Sequence, residues 1–141
     1  MGSEDIVREF TVCGNRVAVH TPAHCAGEAR PDAGEGRSSE ANPSPSNELP
    51  VVYLYVHDGD GSEVLRLCRE LGCRDFALAA IRPRCWNDDL TPWECPGLFA
   101  DDVPFAGRAA EQLRLLESEI IPHVEEDKPR KPEQRMLAGY S

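Results

Sequence analysis

Apolar positions along the chain fall into short runs whose spacing changes from strand-like to helix-like and back. Ile6 to Cys13 alternates loosely, and "RVAVH" follows after Gly14-Asn15, so the first segment predicts a β-hairpin turning at that pair. "VVYLYV", Val51 to Val56, is apolar on both faces and β-branched or aromatic at most positions, which predicts a strand buried in a parallel sheet. After "HDGDG" the period lengthens. Val64, Leu67, Cys68 and Leu71 form a helical stripe, with Asp60 as its cap, Glu63 at the reciprocal position and Gly72 as its stop. "DFALAAI", Asp75 to Ile81, predicts a second buried strand.

Arg82 to Gly107 is irregular and rich in Pro, Trp and Asp, and a helix then carries Ala109, Leu113, Leu116, Ile120 and Val124 on one stripe. Pro122 is expected to kink or end that helix near its last turn. The polar "EDKPRKPEQ" leads into a final strand, "RMLAG". Hairpin, strand, helix, strand, helix, strand is the order of an α/β sheet with right-handed parallel crossovers. Pro22 to Pro50 breaks the pattern with Ala, Gly, Glu, Ser and Pro, and reads as a low-complexity surface insertion in one domain spanning 1–141.

Composition narrows the partners. Fifteen Lys and Arg stand against 25 Asp and Glu, a net charge of −10, and no basic stripe interrupts it. Nucleic acid and anionic membranes are therefore not expected as partners. No run is long enough to span a bilayer, and "MGSEDIVREF" has no apolar stretch behind a positive start, so a cytoplasmic location is the default expectation. In that compartment Cys13, Cys25, Cys68, Cys73, Cys85 and Cys95 read as free thiols. Without a Cys-x-x-Cys pair and with scattered histidines, no metal site is expected. His20, His24 and His123 read as solvated.

In an open parallel sheet, ligands bind at the carboxyl ends of the strands. Three segments emerge there: "HDGDG", the loop from Arg82, and "GYS" at residues 139–141. A strand followed by Gly-x-Ser is the first half of the turn that exposes a nucleophilic serine. From the motif alone, a plain turn or helix cap accounts for Gly139 and Ser141 equally well.

The segments "VVYLYVHDGDG", "WNDDLTPW", "ESEIIPHVEE" and "RMLAGYS", in this order, resemble the esterase branch of the α/β-hydrolase superfamily related to enterochelin esterase and S-formylglutathione hydrolase. The resemblance implies the N-terminal portion of an α/β-hydrolase fold: an antiparallel hairpin, then parallel strands with crossover helices, in an incomplete sheet. It implies a serine esterase for carboxylic esters or thioesters, with a small-molecule ester as substrate and no cofactor. Ser141 would be the nucleophile and His57, Asp58 and Gly59 the oxyanion loop. Asp58 stands where the family more often has Gly, which leaves the donor amide open. Trp86, Asp89, Thr91 and Trp93 would edge the pocket.

The family places its catalytic His and acid after the nucleophile, beyond this sequence. The chain alone is then expected to be inactive, and a continuation or a second chain would supply the rest. Two other readings stay open: a small α/β module whose "HDGDG" cradles a phosphate, and a truncated product with no activity.

Overall fold

The computed structural model describes residues 5–23, 49–99, 101, 103–126, 131–132 and 134–139. Most of the Pro22 to Pro50 insertion, with His24 and Cys25, and the terminal Tyr140 and Ser141 lie outside the described residues.

Strands β1 (Asp5–Val12), β2 (Asn15–Pro22), β3 (Val51–Tyr55), β4 (Ala77–Arg82) and β5 (Arg135–Ala138) form a five-stranded sheet in the order β1-β2-β4-β3-β5. The hairpin is antiparallel, and β2 also runs antiparallel to β4; β4, β3 and β5 are mutually parallel. The hairpin turn sits one residue earlier than the Gly-Asn pair suggests. Cys13 and Gly14 both have positive φ (49° and 85°), the pattern of a two-residue type I′ turn, and Val12 pairs with Asn15. Asn15 instead opens β2, fully buried, its side-chain amide donating to the carbonyls of Val12 (3.1 Å) and Cys13 (3.4 Å).

Alternate residues of the central strands face opposite layers. Val51, Tyr53, Tyr55, Val17, Val19, Ala77, Ala79 and Ile81 pack beneath Leu116, Ile120 and Val124. Leu54, Val56, Leu78 and Ala80 pack beneath Leu65 on the other face. The covering helices are α1 (Ser62–Glu70) on this second face, and α2 (Trp86–Leu90), α3 (Ala109–Leu115) and α4 (Ile121–Glu125) on the first.

The face of α1 is rotated from the expected stripe, whereas the stripe of the second crossover helix holds at Leu116, Ile120 and Val124 and departs only at Leu113. In α1 the buried residue is Leu65, with Cys68 half-buried beside it, whereas Val64, Leu67 and Leu71 are exposed. Gly61 sets this orientation: its φ is 85°, and a Cβ there would lie 2.8 Å from Leu78 Cδ2 and 2.9 Å from Ala80 Cβ. The helix start therefore rests directly on the sheet. In α3 the buried position is Gln112 rather than Leu113, which is exposed.

Pro122 neither ends nor breaks the second crossover helix. Its missing N–H and its ring are accommodated by a π-helical turn over Leu116–Ile120, after which α4 runs on to Glu125. Arg8 of β1 closes that helix, donating to the carbonyls of His123 (3.0 Å) and Val124 (2.9 Å), its guanidinium lying over the Phe10 ring.

Candidate functional site

The register of β3 and β5 sets the geometry of the sheet's carboxyl edge. Val51, Val52, Tyr53 and Leu54 pair in parallel with Arg135, Met136, Leu137 and Ala138, so both strands end on the same side. The loop from His57 leaves β3 there, and α2 follows β4 at the same edge. Their meeting point is a ring contact: His57 and Trp86 stand edge to face, centroids 5.3 Å apart at 72°. Trp86 also packs against the larger core cluster, so it ties an exposed loop to the sheet. Ser141, the candidate nucleophile, lies outside the described residues.

Within the loop, acidic side chains occupy the backbone donors. Asp58 accepts from the Gly59 N–H at 2.9 Å and pairs with Arg82 at 3.3 Å. Asp60, just before the N-cap Gly61, accepts from the Ser62 N–H (3.0 Å) and hydroxyl (2.7 Å). Those two bonds hold the Asp60 carboxyl below its usual range. A cradle whose amides already bind carboxylates is poorly made for phosphate. The Gly59 amide reaches an oxyanion only when the Asp58 carboxylate turns away.

His20 was expected in solvent and is instead buried, its Nε2 2.7 Å from the Asp60 carbonyl. A carbonyl only accepts, so Nε2 carries the proton. This bond fixes the loop between β3 and α1 to strand β2, which lies beyond β4 in the sheet. Its position on the same strand face as Ala18 hints at burial, but the partner that satisfies the ring lies 40 residues along the chain. His123 is exposed as expected and stacks on Phe10.

The four pocket-edge candidates separate. Asp89 is buried, and its carboxylate accepts from the Cys85 N–H (3.1 Å) and from Arg108 Nε (3.3 Å), with Arg84 at 3.6 Å. Thr91 donates to the Asn87 carbonyl (2.9 Å) and accepts from the Gly107 N–H (3.0 Å). Both shape the loop. Gly107 has φ 73°, and a Cβ on it would come within 2.3 Å of the Trp93 carbonyl carbon, so only glycine lets the loop close on itself. Trp93 is exposed at 69%.

One buried polar cluster escaped the sequence reading. Gln112 donates to Asn15 Oδ1 and to the Tyr55 hydroxyl, each at 3.0 Å, joining hairpin turn, α3 and the end of β3. Burial raises the Tyr55 phenol, with Asp89 adding to the shift and the Gln112 bond opposing it. A depression of about 460 Å³ lies over the hairpin, lined among others by Glu9, Arg16, Asp60 and Arg82. Its charges are mixed, and it does not include His57 or Trp86. Among the described residues, no group of three or more His, Cys, Asp or Glu is placed to hold a metal ion. No helix of the described residues is long and apolar enough to cross a membrane.

No family model matches the chain, and no curated protein matches it. Among solved structures, the chain is similar to the siderophore hydrolase EstA from Aspergillus nidulans, with a TM-score of 0.59 and 17% identity. The match covers 99% of this chain and 50% of that one, so the chain spans about half the length of the structure it resembles. The likeness is one of fold: a mixed α/β sheet of hydrolase-like architecture.

Proposed function

We propose that residues 1–141 form the nucleophile-bearing part of a serine hydrolase for carboxylic esters or thioesters, with Ser141 as nucleophile. The observation that carries this reading is the β3–β5 register. Leu54 pairs with Ala138, so β3 and β5 end side by side, β3 leading into the His57 loop and β5 into the Gly-x-Ser segment. A nucleophile following one parallel strand, beside the loop after its neighbour, is an arrangement suited to acyl transfer. The hydrolase-like fold supports the same reading.

On this account Ser141 Oγ attacks the ester carbonyl carbon while a histidine base takes its proton. The tetrahedral oxyanion rests on backbone N–H groups, one of them from the loop His57, Asp58 and Gly59. Collapse expels the alcohol or thiol, and water then hydrolyses the acyl-serine. Base and acid come from outside these residues, through a continuation or a second chain. Trp86 borders the acyl site.

A fluorophosphonate probe tests the nucleophile. In the protein extended through any coding sequence after residue 141, peptide mapping should place the adduct on Ser141. No adduct at Ser141, together with saturable nucleotide binding at the "HDGDG" loop, would favour the phosphate-binding module instead.

A further inference from the structure

Helix α1 ends in a motif with a cysteine at each of its two contacting positions. The Gly72 N–H bonds to the Arg69 carbonyl (3.0 Å) and the Cys73 N–H to the Cys68 carbonyl (3.0 Å), with Gly72 at φ 81°. These are the paired five-to-two and six-to-one bonds of a Schellman cap. Its long bond folds the chain back so that the side chains flanking it touch, normally as an apolar contact. Here the pair is Cys68 and Cys73. Both cysteines line one small cleft with Leu65, Arg69, Arg74 and Phe76.

From this geometry we infer that Cys68 and Cys73 form a reversible dithiol–disulfide site at the end of α1, open to low-molecular-weight disulfides. A disulfide spans Cα atoms about 4.4–6.8 Å apart, and the cap draws these two together without moving either strand. Cys73 is exposed and Cys68 half-buried, so the order of events is fixed. The Cys73 thiolate attacks one sulfur of a small disulfide such as oxidised glutathione and expels one glutathione thiolate, which takes up the proton Cys73 lost. The Cys68 sulfur then attacks Cys73 in the mixed disulfide, forming the internal bond and expelling the second glutathione as thiol. Two protein thiols are oxidised and one small disulfide is reduced to two thiols. Burial, and then the neighbouring Cys73, raise the Cys68 thiol, which suits a group that resolves rather than initiates. This inference is independent of the role of Ser141.

The test equilibrates the 141-residue chain in oxidised and reduced glutathione, blocks free thiols and maps tryptic peptides. Cleavage after Arg66, Arg69 and Arg74 separates the two cysteines, so the bridge appears as peptide 67–69 linked to peptide 70–74. The linked pair should dominate in the oxidised mixture and vanish in the reduced one. Cys68→Ser should instead accumulate a mixed disulfide at Cys73, and Cys73→Ser should leave Cys68 unmodified. Wild-type protein that keeps glutathione on Cys73 while Cys68 stays free would overturn the proposal. So would a bridge from Cys73 to any other cysteine. Mapping the wild type alone decides the matter if either variant fails to fold.

Discussion

His57 meets the ring of Trp86 edge to face at 5.3 Å, and through it the exposed loop after β3 is held to the core. The two partners differ in burial. Trp86 is half-buried and packs against the core, whereas His57 is exposed. Trp86→Ala should cost about 2–3 kcal/mol of stability; His57→Ala should stay within about 0.5 kcal/mol. Urea midpoints of the two variants check this, and equal losses would mean that the contact, rather than Trp86 packing, holds the loop.

Glu125 links α4 to the strand that leads to Ser141. It accepts the Tyr53 hydroxyl at 2.5 Å and takes Arg135 through two bonds of 2.7 Å. The Tyr53 phenol is raised above its usual range by burial first, then by this carboxylate. Tyr53→Phe removes one bond and should cost about 1 kcal/mol. Glu125→Ala strands a buried hydroxyl and unpairs Arg135, and should cost about 2–3 kcal/mol. Denaturant unfolding should rank the variants in that order.

The Asn15–Gln112–Tyr55 cluster predicts an asymmetry of the same kind. Gln112→Ala leaves two buried acceptors without their donor and opens a cavity, at a cost of about 2–4 kcal/mol. Leu113→Ala, one residue on and exposed, should cost under about 1 kcal/mol. Thermal unfolding of both variants measures the difference.

This pair also shows where the sequence was legible and where it was not. Strand existence and order along the chain followed from runs such as "VVYLYV", where burial on both faces leaves little choice of residue; "RMLAG" was legible only as a short apolar run, since Met136 and Leu137 are exposed. The hairpin and the two parallel crossovers followed from that order; the placement of β3 between β4 and β5 did not. The orientation of α1 did not follow either, nor did the burial of Gln112 in place of Leu113, although Leu116, Ile120 and Val124 lie inward as their spacing suggests. A stripe of apolar residues predicts the buried face only when packing is set by apolar contact, and Gly61 and Gln112 depart from that. One allows the backbone to touch the sheet, and the other exchanges an apolar contact for two hydrogen bonds. His20 was missed for a related reason: its burial depends on the Asp60 carbonyl, a partner far along the chain. Asp89 and Thr91 make hydrogen bonds that shape the loop itself.

Asp60 gives the acid limb of stability a predictable component. Its folded pKa lies below its ordinary one because Ser62 donates twice to the carboxylate. The stabilisation is therefore complete above the unfolded pKa of about 3.9 and is lost as pH falls through the lower, folded value. Asp60→Ala should be less stable than wild type near neutral pH, by under about 1 kcal/mol because the group is largely exposed. The gap should close in strong acid. Urea midpoints across that range test the sign; a gap that widens on acidification would contradict it.

The central claim is that Ser141 is a nucleophile whose base and acid lie elsewhere, and turnover of an activated aryl ester tests it most directly. Three samples are compared: the 141-residue chain, the protein extended through any coding sequence after residue 141, and the extended protein carrying Ser141→Ala. The account predicts turnover by the extended protein, its loss in Ser141→Ala, and a rate for the short chain at least about 10²-fold lower, the usual contribution of a general base. Equal, Ser141-dependent turnover by the short chain would contradict it, and would make His57 the candidate base.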